Sequence, residues 1–119
     1  MSLWTGWRRI QLTLKQYEIH MADLNPTIGS EIRKARPVVV VSRNEMNRYL
    51  ETVVICPLTS RLHPLWRSRL QIVCAGRDAE IAVDQIRTLS KQRLKRKIDV
   101  ISSEVAAQLR RLITEMYGG

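Results

Sequence analysis

The sequence predicts a small antiparallel β-barrel, or strongly bent sheet, closed by one C-terminal helix. Two observations carry this. Six or seven short runs, apolar or alternating and bounded by turn formers, follow one another across residues 15–101, which is the spacing of a mainly β domain. Only one stretch keeps a clear helical period: Val105, Leu109, Leu112 and Met116 recur at spacings of four, three and four, Ile113 widens the stripe, and Ser102 stands at the N-cap. A chain of 119 residues makes one domain with a genuine core. We read residues 1–14 as an N-terminal extension without clear period and residues 15–119 as the single domain.

The strands can be justified in order. In Lys15–Asp23, Tyr17, Ile19 and Met21 alternate with Glu18 and His20, as in a half-buried strand. Asn25, Pro26, Thr27 and Gly29 then make a turn-rich loop. The loop ends with Arg33, Lys34 and Arg36 beside one carboxylate, Glu31, and Pro37 drives Arg36 into an extended conformation. Val38–Val41 read as a strand buried on both faces. Asn44–Leu50 offers an Asn cap and about two helical turns. Thr52–Leu58 is a second buried strand, stopped by Pro57, and Thr59–Trp66 is a loop. Arg69–Val73 and Glu80–Asp84 alternate about a turn at Gly76-Arg77-Asp78, so they form a hairpin. Gln85–Leu89 continues as a strand with Gln85, Arg87 and Leu89 on one face. Ser90–Leu94 is a short helical turn, and Lys97–Ile101 is the closing strand.

Charge narrows the partner. Twenty Lys and Arg against eleven Asp and Glu give +9, with a pI near 10.4, which points to a polyanion. Arginine prevails where the polar clusters lie, and its planar fork suits phosphate or carboxylate. No apolar run is long enough to span a bilayer, and the opening MSLWTGWRRIQL lacks the long apolar core of a secretion signal. Cys56 and Cys74 stand at no metal-ligand spacing; Cys56, within VVICPL, reads as a small buried hydrophobe. A reducing cytoplasm fits both. No zinc pattern, phosphate loop or dinucleotide fingerprint is present.

Three polar clusters interrupt the apolar strands: Ser30-Glu31 with Arg36, Thr59-Ser60 after VVICPL, and Gln85 with Arg87. Convergence of a hydroxyl, an amide and two guanidinium groups on one phosphate would suit metal-free transesterification of RNA. In that reaction a 2′-OH attacks the phosphorus while cations hold the developing charge. His20 and His63 lie outside these clusters, as a strand and a loop residue, so the sequence does not point to a paired-histidine mechanism. Trp66 reads as a packing residue, with base stacking as the alternative. Arg93–Lys97 (RLKRK) reads as a solvated face.

Through ADLNPTIGSEIRKARPVVVVS, ICPLTS and VDQIRTLSKQRL, in that order and spacing, residues 17–94 resemble the MazF/PemK/Kid toxin endoribonucleases of type II toxin–antitoxin pairs. The resemblance implies an SH3-like antiparallel barrel with a C-terminal helix. It also implies a homodimer, metal-independent cleavage of single-stranded RNA to 2′,3′-cyclic phosphate and 5′-OH ends, and no cofactor. An acidic, largely disordered antitoxin would be the protein partner. Carried over by motif, Arg36 and Thr59 are the implied catalytic pair, and Ser30, Glu31 and Gln85 fall on positions that contact or orient RNA. Arg87 is open between an RNA contact and a surface arginine. Glu31 is a candidate base, because arginine is a poor one. The alternative is a non-cleaving CcdB-like toxin that binds a protein target such as gyrase; that type lacks the Arg36–Thr59 pairing. One departure stands at the start, where the family usually carries Gly before the acidic residue of its first strand and this chain has Tyr17.

Overall fold

The structure, a computed structural model, describes residues 14–24 and 35–118. At its centre are two antiparallel strands, β2 (Ala35–Val40) and β3 (Thr52–Thr59), in register Val38↔Pro57, Val39↔Cys56 and Val40↔Ile55. β1 (Glu18–Asp23) flanks β2, and β7 (Leu94–Val100) flanks β1. On its other side β3 changes partner along its length. Thr52–Ile55 pair with β6 (Arg87–Ser90), whereas Leu58 and Thr59 pair with β5 (Arg77–Ala82), which carries β4 (Arg69–Cys74) at the edge. A strand divided between two partners makes the sheet curl, and the β1–β7 register shifts around His20 add further bend. The result is a curled antiparallel half-barrel.

Pro57 does not stop β3, contrary to the sequence expectation. Cys56 and Pro57 fall where β3 passes from β6 to β5 and have no register partner on that side. A residue without an N–H is tolerated at such a break in the ladder.

Strand alternation feeds two cores. One face sends Ile19, Val39, Cys56, Leu58 and Ile81 against Ala106 and Leu109 of α2 (Ser103–Tyr117). The other gathers Ala22, Val38, Val40, Val53, Ile55, Leu89 and Leu94. The valine run is therefore buried on both faces, as its composition predicts. Ser102 caps α2 as expected, its hydroxyl accepting from the Val105 N–H at 3.2 Å. The short helix α1 (Asn44–Tyr49) has Arg43 at its N-cap, and Asn44 instead accepts from the Gln16 N–H at 2.8 Å.

Turn chemistry moves three of the expected boundaries. The β4–β5 hairpin turns on Ala75 (φ 50°) and Gly76 (φ 79°). Two consecutive positive φ values match the right-handed twist of the flanking strands, so β5 already begins at Arg77. Val83–Gln85 close a 3-10 turn in which the Ile86 N–H donates to Val83, so β6 starts at Arg87 and Gln85 is not a strand residue. Ser90 caps a second 3-10 turn, Lys91–Arg93, and β7 starts directly after it at Leu94.

Tyr17 has φ 75°, a left-handed conformation that costs a non-glycine residue roughly 1–2 kcal/mol. This accounts for glycine at that position in the resembled family. Tyr17 is held there by its N–H donating to Val40 at 2.7 Å and its carbonyl accepting from Ile101 at 3.1 Å. Its hydroxyl accepts from Arg110 at 3.0 Å, and the guanidinium sits 5.7 Å from the ring.

Candidate functional site: a cationic cleft at the end of the central strands

On the Val38/Ile55 face the apolar rows turn polar at one end. Alternation along β2 places Arg36 on the face of Val38, and along β3 places Thr59 on the face of Ile55. The β2–β3 pairing ends at Val38↔Pro57, and Arg36 and Thr59 lie two residues beyond it on the same face. Arg87 joins the same face as the register partner of Ile55. Arg36, Thr59, Gln85 and Arg87 all line one cavity of about 820 Å³, within the usual size of a ligand cleft. The 3-10 turn therefore delivers Gln85 where a strand was expected to. Ser30 and Glu31 lie outside the described residues.

Opposite these groups stands a wall that sequence reasoning missed. Glu80, the register partner of Thr59, is fully buried. Its carboxylate accepts from the His63 N–H at 2.6 Å, Gln71 Nε2 at 2.7 Å and Arg69 Nη1 at 2.6 Å, with His63 Nδ1 at 3.0 Å. Burial alone would raise the Glu80 pKa, but these four contacts outweigh it and bring the carboxyl to about 2. Arg69 also bonds Asp84 at 2.8 Å. Its pKa is raised first by that bond, against desolvation, and then by Glu80. The Asp84 carboxyl is lowered: burial pushes upward, but Arg69 and Ser68 prevail. His63 and Trp66 stack at 3.9 Å between ring centroids, and both line the cavity. His63, expected to be a plain loop residue, thus belongs to the cleft. A legible signal was the alternation of Arg69 and Gln71 in the strand facing Glu80.

The cleft is electropositive. Arg69 is neutralised by its two carboxylates, whereas Arg36, Arg61 and Arg87, which line the same cavity, have no ion pair among the described residues. The Thr59 hydroxyl accepts from the Arg61 N–H at 3.1 Å, the turn-capping role open to any Thr, which leaves its O–H free to donate. Among the described residues no three His, Cys, Asp or Glu side chains come together to hold a metal ion. Both cysteines are buried and free. Burial, with the Asp84 charge, pushes the Cys56 thiol up to about 12, as expected of a small core residue.

The remaining polar residues lie apart. His20 is a buried strand residue, with Nε2 2.9 Å from Glu18 Oε1 and Nδ1 3.1 Å from the Lys95 carbonyl. Lys95, Arg96 and Lys97 are exposed, as a solvated face requires. Arg93 departs from that expectation, being half-buried and donating to the Asp23 carbonyl at 3.3 Å.

A curled half-barrel with an arginine-lined cleft at the ends of its central strands defines a small β domain with a cationic cleft. The chain belongs to the family of PemK-like, MazF-like toxins of type II toxin–antitoxin systems, whose model matches residues 15–117. It is 30% identical over 113 residues to a protein named Endoribonuclease MazF of Staphylococcus saprophyticus, covering 88% of this chain and 92% of that one. Its fold is similar to MazF of Deinococcus radiodurans, with a TM-score of 0.74, 20% identity and coverage of 89% and 97% of the two chains. A mycobacterial endoribonuclease, solved in complex with its cognate antitoxin, aligns with a TM-score of 0.75 and 18% identity over 89% and 96%.

Proposed function

We propose that this chain is the toxin of its pair by virtue of a metal-independent endoribonuclease activity on single-stranded RNA. What supports this is one observation: Arg36 and Thr59, from the ends of neighbouring strands, share a cavity with Arg87 and Gln85. The relative named an endoribonuclease supports the same reading.

The substrate's 2′-oxygen forms a bond to phosphorus as the bond to the 5′-oxygen breaks, giving a 2′,3′-cyclic phosphate and a 5′-OH. One proton leaves the 2′-OH and one reaches the departing 5′-oxygen. Arg36 grips the non-bridging oxygens through parallel donors and can supply the second proton. Thr59 donates its free O–H to the phosphorane. Glu80 is not the base, since it is fully buried, saturated by four contacts and has its carboxyl near 2; Glu31 remains the candidate. Gln85 and Arg87 hold the flanking RNA, and Ser30 is assigned the same role.

The chain acts as a cytoplasmic homodimer. Its net charge of +9 suits an acidic antitoxin, whose binding weakens as salt screens exposed charges over roughly 8–10 Å. A non-cleaving, CcdB-like action on a protein target is not favoured. The test is incubation with mixed-sequence RNA in excess EDTA. Fragments ending in cyclic phosphate are expected; intact but shifted RNA would mean binding alone, and no effect would return the protein-target reading.

A further inference from the structure

We propose that Trp66 is a stacking platform for one unpaired base of the RNA, an affinity element separate from the residues that handle the phosphate. The inference rests on the reading of the cavity as an RNA site. Trp66 lines that cavity together with Arg36 and Thr59. His63 lies against the indole at 3.9 Å and 22°, and the Arg69 guanidinium lies over it at 4.7 Å. If these two covered opposite faces, the whole indole would separate them. Instead Arg69 Nη1 and His63 Nδ1 are 3.3 Å apart, so both occupy the same face. Among the described residues no ring or cation contact falls on the other face, and half of Trp66 is exposed (50%), in keeping with one covered and one open face.

The covered face is also fixed in place. His63 and Arg69 are both bonded to the buried Glu80, and the Trp66 backbone N–H donates to the His63 carbonyl at 3.0 Å. The indole therefore pays little ordering entropy when a ring settles on it. Arg69 beneath the ring has its Nε on Asp84 and an Nη on Glu80, so it underpins the indole and is not spent on phosphate. A flat π face beside three arginines free of ion pairs among the described residues suits a nucleobase whose backbone runs along those cations. Every base has such a face, so the platform tolerates sequence and favours the stronger stackers.

The test uses the full chain and a 5′-labelled, mixed-sequence 2′-O-methyl RNA of about 12 nucleotides, a usual site length for single-strand binders. This RNA has no 2′-OH nucleophile and stays intact whichever residues catalyse. Trp66→Ala should weaken binding roughly 5- to 150-fold, while Trp66→Phe should stay within about threefold of the parent. The slope of affinity against salt should not change, because no phosphate contact is lost. RNA should quench tryptophan fluorescence more in the parent than in Trp66→Phe, which keeps Trp4 and Trp7. A folded Trp66→Ala protein that binds as the parent does, or a quenched signal equal in the parent and Trp66→Phe, would overturn the proposal. So would an Ala variant that keeps its RNA affinity but loses affinity for polyglutamate, which would make the platform a protein-docking face. If the parent itself fails to bind this RNA, the RNA reading of the cavity fails first, and the platform falls with it.

Discussion

Replacing Glu80 with Gln should destabilise the fold by about 3 kcal/mol, near the lower end of the cost of removing one partner from a buried pair. The magnitude follows from the surroundings. Glu80 has no exposed surface, and its two oxygens serve His63, Gln71 and Arg69 at 2.6–3.0 Å. A Gln amide keeps one acceptor and turns the other into a donor that faces donors. Arg69 retains Asp84 at 2.8 Å, which keeps the cost near the lower end of that range. For a domain of this size the melting temperature should fall by roughly 12 °C, at about 4 °C per kcal/mol. The pH dependence has a definite sign. The folded carboxyl is held at about 2 against an ordinary 4.5, so the unfolded chain binds more protons between those values. The stabilisation is fully present above the unfolded value and is lost as pH falls from about 4.5 toward 2. Urea unfolding of parent and variant from pH 7 down to pH 2 reads both quantities. A variant within about 0.5 kcal/mol of the parent, the ordinary range for a surface change, would show that Glu80 does not hold this wall together. So would an unaltered acid slope.

Two further outcomes follow from single residues. At Tyr17 the usual order of glycine and alanine should invert: Tyr17→Gly should be more stable than Tyr17→Ala by about 1 kcal/mol, because only glycine takes φ 75° without strain, and thermal melts of the pair isolate that difference. Arg87→Ala should weaken RNA binding and reduce the salt slope by about 1, as expected for one lost phosphate contact; an unchanged slope would return Arg87 to a surface arginine.

Much of the site was legible because strand alternation is a short-range rule. Arg36 precedes a proline and a valine run, and Thr59 follows VVICPL, so their shared face is written in the two strands themselves. Gln85 and Arg87, expected on one face of a single strand, do line one cavity, but Gln85 reaches it from a 3-10 turn. The 3-10 turn at Val83–Gln85 is three residues long with one apolar member, too short to show a period of its own, and its hydrogen bond from Ile86 to Val83 is what sets it apart from a strand. Pro57 misled because a proline inside a strand normally ends it; the change of partner from β6 to β5 that accommodates it is a tertiary fact. The Glu80 wall was legible only in the alternation of Arg69 and Gln71, and the burial of Glu80 itself is again a tertiary fact. A glutamate in an alternating run reads as exposed, and its burial depends on His63, Arg69 and Gln71 arriving from another strand and a loop.

In the proposed function Arg36 acts on the transferring phosphate from the cavity it shares with Thr59. The most direct test of this is cleavage of mixed-sequence RNA in excess EDTA by the parent and by Arg36→Ala, with fold and oligomeric state checked for both. The side chain lies at an exposed strand end beyond the buried valines, so folding should survive the substitution. Cleavage should fall roughly 10²- to 10³-fold, the cost of losing one donor that stabilises growing transition-state charge. Arg36→Lys should not restore it fully, since a point charge cannot reproduce the two-donor fork. A folded Arg36→Ala protein that cuts RNA within a factor of a few of the parent would contradict the claim and leave Arg36 a solvated strand-end cation.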